Sequence, residues 1–412
     1  MLYVPPKARK AFRKEFAAAA VCGVMVGGLF PFLPFVASHR LGASATLISL
    51  MLAAPWVGSF ASAAFAHATA RKPLMRTVSN VWILARATFI LMLFVNTPYT
   101  FALITIVAMF LASLALPGYA CIMKAIYPDD HRGKIMAYIR VVMWLVATLA
   151  TFIAGPILRN YAHSYQIVFP IAAVFGVVSV YMFRTIDVPG DDEKSLSSIE
   201  RVSFADSMRS SWTILTQSNR RYGWFILTTT IYGFGNFLMM PVYPKYMDEY
   251  LHMDEYTFAI YSVITSITMM IGFLYWGHYI DGRSPLRAVI LTILINALLP
   301  LTFAIAPSYI WILPGAVLSG IMGSGLELAY MNAVLDFAPD GEEMRYQGIQ
   351  NSVQGLRGIV GPITGGLMYD LFRNANFEIR YVFLVSFVQI MIGWCLLVYG
   401  MRWKYPKAKA AC

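Results

Sequence analysis

The chain has 412 residues, of which 58% are hydrophobic and only 13% are charged. Soluble domains carry about 25% charged residues, so this composition excludes both a soluble globular protein and a disordered chain. The net charge is +11, but in so apolar a chain the placement of the charges matters more than their sum, and no nucleic-acid partner is predicted. We therefore expect an all-α polytopic membrane protein embedded in a lipid bilayer.

Runs of about 20 mainly apolar residues, the length that crosses a bilayer, follow one another along the chain. Predicted spans 1 to 6 lie near 16–37, 46–67, 77–95, 99–123, 135–158 and 165–184. Predicted spans 7 to 12 lie near 222–245, 257–277, 286–306, 309–333, 347–369 and 379–401. The long polar segment between spans 6 and 7 predicts three parts: an N-terminal six-helix bundle at 1–184, a cytoplasmic central loop at 185–221 and a C-terminal six-helix bundle at 222–412.

Lysine and arginine indicate how the spans cross the membrane. They are several times more frequent in the two terminal segments, the central loop and the loops that follow spans 2, 4, 8 and 10 than in the loops that follow the odd-numbered spans. Cytoplasmic loops carry such an excess, so both termini are expected to be cytoplasmic. The stretch 197–215 is interpreted either as an amphipathic helix on the membrane surface or as a solvated tether. Its apolar residues at helical spacing are Phe204, Met208, Trp212 and Leu215.

The two halves carry an internal repeat in the same orientation. Pro31 and Pro34 in span 1 match Pro241 and Pro244 in span 7, 210 positions later. Further matches occur between loops 2–3 and 8–9 and after spans 5 and 11, with offsets of 212 and 214. A parallel duplication of six-helix units predicts a solute site at the interface between the halves, near the middle of the bilayer.

Local motifs add a resemblance that covers essentially the whole chain. The segment 277–283 reads GHYIDGR and is similar to the GxxxD(R)xGR signature of the major facilitator superfamily. The glycine-rich run of span 11 is similar to a signature of drug antiporters, and the two prolines of span 1 resemble the drug-exporter-like branch. The resemblance implies two six-helix bundles that alternate access. It assigns gating roles to Gly277, Asp281, Arg283, Gly361 and Pro362.

Span 11 carries the most informative polar pattern, because polar side chains inside a membrane mark a pathway or an internal pair. The residues that recur at steps of three or four, and so share one helix face, are Gln347, Gln350, Gln354 and Arg357. This face favours a wet cavity, and the alternative is a buried ion pair between Arg357 and Glu327 of span 10. An adjacent face of small residues suits close helix packing.

Glu327 is the only acidic residue well inside a predicted span, with Glu15 set aside at the margin of span 1. It is the candidate for proton coupling, because no histidine falls in the middle of a span. Burial favours the neutral acid, whereas a neighbouring Arg357 favours the carboxylate. A permanently ionised structural pair is the alternative.

Two further stripes are expected to line the solute pathway. Arg140 of span 5 is equivalent to Gln354 in the repeat, and Trp144 follows on the same face; a snorkelling arginine is the alternative. In span 7, Tyr232 and Asn236 belong to a polar and aromatic stripe, with core packing as the alternative. Arg86, in span 3, has no evident partner. The N-terminal half contributes bases without an acid, which favours an anionic or neutral solute.

Together these features predict a secondary active transporter that moves a small organic solute by alternating access, with proton-coupled export favoured. The first alternative is an organic-anion uptake or exchange carrier with a basic cavity. The second is a lipid-handling protein or a non-transporting sensor. Motifs of enzymes, nucleotide-binding loops and clustered metal ligands are missing from the sequence, so no catalysis, cofactor or metal is expected. A monomer in a bacterial inner membrane is expected.

Overall fold

The structure is a computed structural model that describes residues 5, 8–69, 72–161, 163–188, 211–281, 284–339 and 342–404. In these ranges the chain forms helices and no strand. The α-helices of the first half are α1 (Arg9–Gly28), α2 (Phe32–His39), α3 (Ala45–Ala68), α4 (Leu74–Thr88), α5 (Pro98–Leu114), α6 (Leu116–Ile126), α7 (Asp129–Asn160) and α8 (Tyr165–Arg184). Those of the second half are α9 (Arg220–Leu238), α10 (Val242–Glu249), α11 (Glu255–Asp281), α12 (Pro285–Ile305), α13 (Leu313–Phe337), α14 (Glu343–Asn374) and α15 (Arg380–Tyr399). Short 3₁₀ or π segments lie at Phe89–Phe94, Ile214–Ser218, Tyr309–Ile312 and Gly400–Lys404.

Every predicted span falls on one helix or on two consecutive helices. By length and composition, 11 helical stretches among the described residues are able to cross a membrane. Predicted span 11 is not among them, although it lies within α14, a helix of 32 residues. Its polar face is what a helix needs when it lines a wet cavity rather than lipid. The all-α polytopic fold is confirmed.

The internal repeat extends to backbone hydrogen bonds. The helices of spans 1 and 7 are both interrupted, at residues 29–31 and 239–241. At the first break, the Leu29 carbonyl accepts from the amides of residues 32 and 33; at the second, the Met239 carbonyl accepts from those of residues 242 and 243. A proline ends each break, where its ring prevents the preceding helix from continuing undisturbed. The two halves therefore share the same interruption.

The turns that follow these spans also match. Gly42 has a φ of +63° and His252, 210 positions later, has a φ of +50°. A left-handed backbone of this kind commonly ends a helix and is easiest for glycine. Ser44 and Asp254 then accept from backbone amides three residues ahead at the start of the next helix. The repeat thus preserves backbone conformation where the side chains have diverged.

Two compact units are present. The first combines Met1–Glu200 with Met247–Val263, and the second combines Arg201–Tyr246 with Ile264–Cys412. The end of α10 and the start of α11 therefore pack in the first unit, although they follow the central loop in sequence. The division at 1–184, 185–221 and 222–412 stays a prediction. Most of the 197–215 stretch, including Phe204 and Met208, lies outside the described residues.

Apolar side chains fill the interior of each unit and also cover much of its outside. The core of the first unit includes Ile122 and Ile139, and that of the second includes Phe225 and Val334. Leu274, in contrast, is 78% exposed. Large exposed apolar residues along long helices are expected where the surrounding solvent is lipid rather than water.

Each unit contains a close contact between two of its long helices. In the first unit, a β-carbon added to Gly27 of α1 would lie 2.7 Å from Ala147 Cα of α7. In the second, a β-carbon added to Gly361 of α14 would lie 2.6 Å from Phe237 Cβ of α9. Residues 27 and 237, and residues 147 and 361, are equivalent in the repeat. In the first unit the glycine lies on the helix of span 1, and in the second it lies on the helix of span 11. The close approach of the two helices is present in both units.

Arg86 has partners within the first unit that the sequence did not reveal. Its Nη1 donates to the Gly176 carbonyl at 2.6 Å and to the Ser179 hydroxyl, both on α8. The guanidinium also lies 5.6 Å from the Trp82 ring centroid. Arg86 therefore joins α4 to α8, and the contacts give it a structural role.

Candidate functional site

A cavity of about 540 Å³ lies within the second unit. Its wall is formed by α9, α13 and α14, and the lining residues are Tyr232, Gly233, Asn236, Phe237, Leu326, Glu327, Tyr330, Met331, Gln347, Gln350, Asn351, Gln354 and Arg357. Six of the eight residues predicted for the solute pathway are among them. They come together because residues three or four positions apart share one face of a helix.

Arg357 is anchored at the wall of this cavity. It is 6% exposed, and its Nη1 donates to the Thr229 carbonyl of α9. The Phe237 ring centroid lies 5.9 Å from the guanidinium carbon. Within the described part of the chain, the hydrogen-bond partner is a backbone carbonyl and not the Glu327 carboxylate, and Nε has no partner. The guanidinium is therefore held at the cavity wall by α9.

Gly233 provides the room that this guanidinium occupies. A β-carbon added at position 233 would lie 2.8 Å from the guanidinium carbon of Arg357 and 3.1 Å from its Nε. Such distances are shorter than van der Waals contact, so any larger residue would displace the arginine. Glycine at this point of α9 is explained by the close approach of a side chain from α14.

Two more polar groups of the wall have no hydrogen-bond partner among the described residues. Gln350 is 4% exposed, and both its amide oxygen and its amide nitrogen are unpaired. The Tyr330 hydroxyl is unpaired as well. An unpaired buried polar group costs about 1–3 kcal/mol. Because three residues with such groups line one cavity, the wall is suited to hydrogen-bonding a polar solute.

Glu327 and Gln354 complete the polar surface. The Glu327 side chain is exposed, and Gln354 is half-buried. Glu327 lies on α13 one turn before Tyr330, so the acid and the phenol share a face of that helix. The cavity wall thus combines one carboxyl group, one guanidinium and several amides.

Asn296 of α12 supports the wall from behind and was missed by the sequence analysis. It is fully buried, and its amide nitrogen lies 3.4 Å from the Tyr232 hydroxyl oxygen and 3.1 Å from Asn236 Oδ1. These contacts orient two residues that line the cavity. Asn296 is an amide in an otherwise apolar span, and that signal could have identified it. Tyr330 was also missed, although it follows Glu327 by three residues.

The predicted gating residues are only partly described. Arg283 and the Asp281 side chain lie outside the described residues. At Gly277, an added β-carbon would meet no described atom within 4 Å, so close packing does not explain this glycine in the described structure. Pro362 lies inside α14 without ending the helix. The gating roles, including that of Gly361, stay predictions.

Arg140 and Trp144 lie on α7 in the first unit, and neither lines the cavity of the second. Arg140 is exposed and Trp144 is half-buried. Arg140 is close enough to Tyr119 of α6 for an electrostatic interaction. Their place in a solute pathway stays a prediction.

The first unit contains a buried acid. Glu15 is 3% exposed and accepts from the Tyr119 hydroxyl at 2.9 Å and from the Tyr127 hydroxyl. Burial raises the pKa of the Tyr127 hydroxyl, and the adjacent Glu15 carboxylate raises it further, so Tyr127 stays a donor. Glu15 lies on α1, which begins at Arg9, almost two turns earlier; its position at the margin of span 1 stays a prediction.

Comparison with known proteins decides the family. The model of the Major Facilitator Superfamily matches residues 16–230 and 225–411. The chain belongs to the major facilitator superfamily. As a member of this superfamily of transporters, it is a multi-pass integral membrane protein.

Three transporters are similar to the chain along nearly its whole length. The proton-coupled antiporter flippase LtaA of Staphylococcus aureus is 21% identical over 383 residues, which cover 92% of this chain and 90% of LtaA. The nucleoside transporter NupG has a TM-score of 0.71 at 12% identity, covering 94% of this chain and 98% of NupG. A D-xylose-proton symporter has a TM-score of 0.71 at 10% identity, covering 97% and 98%. These two structures show a shared fold.

Proposed function

We propose that this protein is a proton-coupled antiporter that exports a neutral, hydroxyl-rich organic solute, which binds in the cavity of the second unit. The observation that carries the proposal is that Glu327 and the anchored Arg357 line one cavity of about 540 Å³ together with unpaired amide and phenol groups. Small-molecule sites typically occupy about 300–1,000 Å³.

The polar groups of the wall favour a solute that both accepts and donates hydrogen bonds. In this proposal the Arg357 guanidinium, the Tyr330 hydroxyl and the Gln350 amide nitrogen donate to solute oxygens. The Gln350 amide oxygen and the Glu327 carboxylate accept from solute hydroxyls. A neutral polyol or glycoside satisfies both sets, whereas an anion would be repelled by an ionised Glu327.

The same geometry supports one sign of the coupling between proton and solute. A solute hydroxyl that donates to Glu327 binds the ionised carboxylate more strongly than the neutral acid, because a hydrogen bond to a charged acceptor is the stronger one. A proton and this solute therefore compete for Glu327, and such competition is the requirement for antiport. A proton that binds from outside the cell would then release, on that same side, a solute that was bound inside the cell. The likeness to LtaA, which is named a proton-coupled antiporter, supports this direction.

A second candidate function is uptake of an organic anion together with a proton. Arg357 supports it, because protonation of Glu327 would leave the cavity with an unopposed positive charge and so strengthen anion binding. Solute and proton would then bind together rather than compete. The word flippase in the name of LtaA supports a third candidate, in which the hydroxyl-rich group is the headgroup of a lipid.

Proton linkage separates these candidates. The purified full-length protein is first screened by thermal shift against neutral mono- and disaccharides, glycosides, organic anions and glycolipids. Calorimetry of each binder in buffers of different ionisation enthalpy then counts the protons taken up or released. Glu327→Gln tests the proposed acid, and Asp336→Asn, an exposed acid on the same helix, is the matched control.

We expect a neutral binder to release protons, and the release to vanish in Glu327→Gln but not in Asp336→Asn. In liposomes with an inward proton gradient, the wild-type protein should then drive the same solute out. Proton uptake on binding of an anion would refute antiport and support the second candidate. Binding restricted to glycolipids would support the third.

A further inference from the structure

A second cluster of charged groups lies in the first unit, and none of its members lines the cavity. It joins the end of α2 to the end of α10 and the start of α11, and we name it the His39 cluster. Its members are Ser38, His39, Arg40, Asp248 and Glu255. Ser38 donates to Asp248, and Arg40 Nε donates to Glu255.

The two ring nitrogens of His39 each face a different carboxylate. Nδ1 lies 2.7 Å from Asp248 Oδ1, and Nε2 lies 3.9 Å from Glu255 Oε2. A neutral imidazole carries one N–H and turns a lone pair towards the second carboxylate, whereas the imidazolium carries an N–H at both nitrogens. The arrangement therefore fits the protonated ring better than the neutral ring.

The formal charges of the cluster lead to the same conclusion. The side chain of Arg40 is its permanent cation, and Asp248 and Glu255 are its two acids. With a neutral His39 the two carboxylates face one positive charge, and with a protonated His39 the charges balance. Glu255 is 1% exposed, and its Oε2 has no hydrogen-bond partner among the described residues. A buried carboxylate gains most from an added positive charge beside it.

Water has access to the histidine but much less to its partners. The His39 side chain is 31% exposed, against 13% for Asp248 and 1% for Glu255. A proton can therefore reach His39 from solution without opening the cluster. Histidine is the side chain whose ordinary titration falls between about pH 5 and pH 8.

Neighbouring contacts extend the cluster to α7 and add an apolar layer. Arg40 Nη2 donates to the Leu158 carbonyl at 2.8 Å, and Arg159 Nε lies 2.9 Å from Asp254 Oδ2. The Phe35 ring stacks on His39, at 5.5 Å between centroids, and on Phe258, at 4.5 Å. The cluster therefore ties the ends of two helices to the α10–α11 connection.

We propose that the His39 cluster is a proton-binding site that holds the ends of α2 and α7 against the α10–α11 connection when His39 is protonated, and releases them when the proton leaves. The inference goes beyond the proposed function, because it concerns a different acid–base group and needs no solute. If transport is proton-coupled, this site makes the predicted outer end of the protein responsive to pH on its own side.

Distance measurements between spin labels test the proposal without any transport assay. The labels are placed at the exposed positions Tyr161, after α7, and Tyr250, after α10, in full-length protein whose native cysteines are replaced by serine, in lipid nanodiscs. Distances are recorded at about pH 5 and about pH 8. His39→Gln and Asp248→Asn remove the switch and one of its acceptors, and His163→Gln, an exposed histidine outside the cluster, is the matched control.

We expect two distances between the labels. The ratio of the population at the longer distance to the population at the shorter distance should rise about tenfold from the acidic to the basic sample, as the loss of a charge-assisted hydrogen bond implies. His163→Gln should keep this response, while both cluster variants should lose it and retain the helical circular dichroism of the wild-type protein. A wild-type distribution that does not change with pH would overturn the proposal. A response that survives in His39→Gln would overturn it equally. Neither result bears on Glu327, whose failure would show in proton linkage instead.

Discussion

Replacing Gly233 with alanine is the sharpest test of the cavity described for the second unit. The new methyl group would lie 2.8 Å from the guanidinium carbon of Arg357 and 3.1 Å from Nε. Backbone atoms of α9 cannot retreat easily, because Gly235 on the same helix packs against Ile390 and Ser386 of α15. The arginine is therefore expected to move, and its bond to the Thr229 carbonyl should break.

The structure gives the size of the effect on binding. A hydrogen bond from a charged group contributes about 1.5–3 kcal/mol, and every 1.4 kcal/mol is about tenfold in affinity. Displacing Arg357 without removing its charge should therefore weaken solute binding by roughly 10- to 150-fold. Overpacking should also cost about 1–3 kcal/mol of stability.

Calorimetry of the purified variant with the solute identified for the wild-type protein measures the affinity, and thermal unfolding measures the stability. Gly323→Ala on α13 is the matched control, because its new β-carbon would meet only Met269, at 3.9 Å. The control should bind as the wild type does and be slightly more stable, since alanine favours a helix over glycine by about 1 kcal/mol. Wild-type affinity in Gly233→Ala would refute the placement of Arg357 in the solute site.

Three further substitutions test contacts away from the cavity. Arg86→Met should lower the thermal unfolding midpoint, because it removes a charged donor from the Gly176 carbonyl, and such a hydrogen bond is worth about 1.5–3 kcal/mol; an unchanged midpoint would contradict the structural role. His252→Gly should raise the midpoint, since it relieves a left-handed backbone worth about 1–2 kcal/mol, and a fall would show that the side chain contributes more than the strain. Glu15→Gln should lower the midpoint, and adding Tyr119→Phe to it should cost less than Tyr119→Phe costs alone; equal costs would disprove the hydrogen bond.

The membrane helices could be predicted because one quantity, the length of an apolar run, decides whether a segment crosses a bilayer. The repeat was equally visible, since the prolines at 31 and 241 recur at the same offset as the breaks they help to form. Six of the residues predicted for the pathway line one cavity, because a polar stripe on an apolar helix shows which face avoids lipid.

The rest of the site depends on which helices are neighbours. No short sequence pattern shows which helices pack together. Gly233 and Arg357 are 124 positions apart, and only the packing of α9 on α14 explains the glycine. Glu15 was set aside at the margin of span 1, and only the fold places the Tyr119 and Tyr127 hydroxyls beside it. The repeat predicts that Arg140 and Gln354 occupy equivalent positions, each in its own unit. It does not predict whether both side chains line the same cavity.

The paired interruptions near residues 30 and 240 have a consequence for how the protein can change shape. Ser38 and His39 lie on the short helix after the first interruption, and Asp248 lies on the short helix after the second. We expect each short helix to move about its proline more readily than the longer helix before it, and of these longer helices α9 carries residues that line the cavity. Selection could thus tune the pH response of one end of the molecule and the chemistry of its cargo as separate traits.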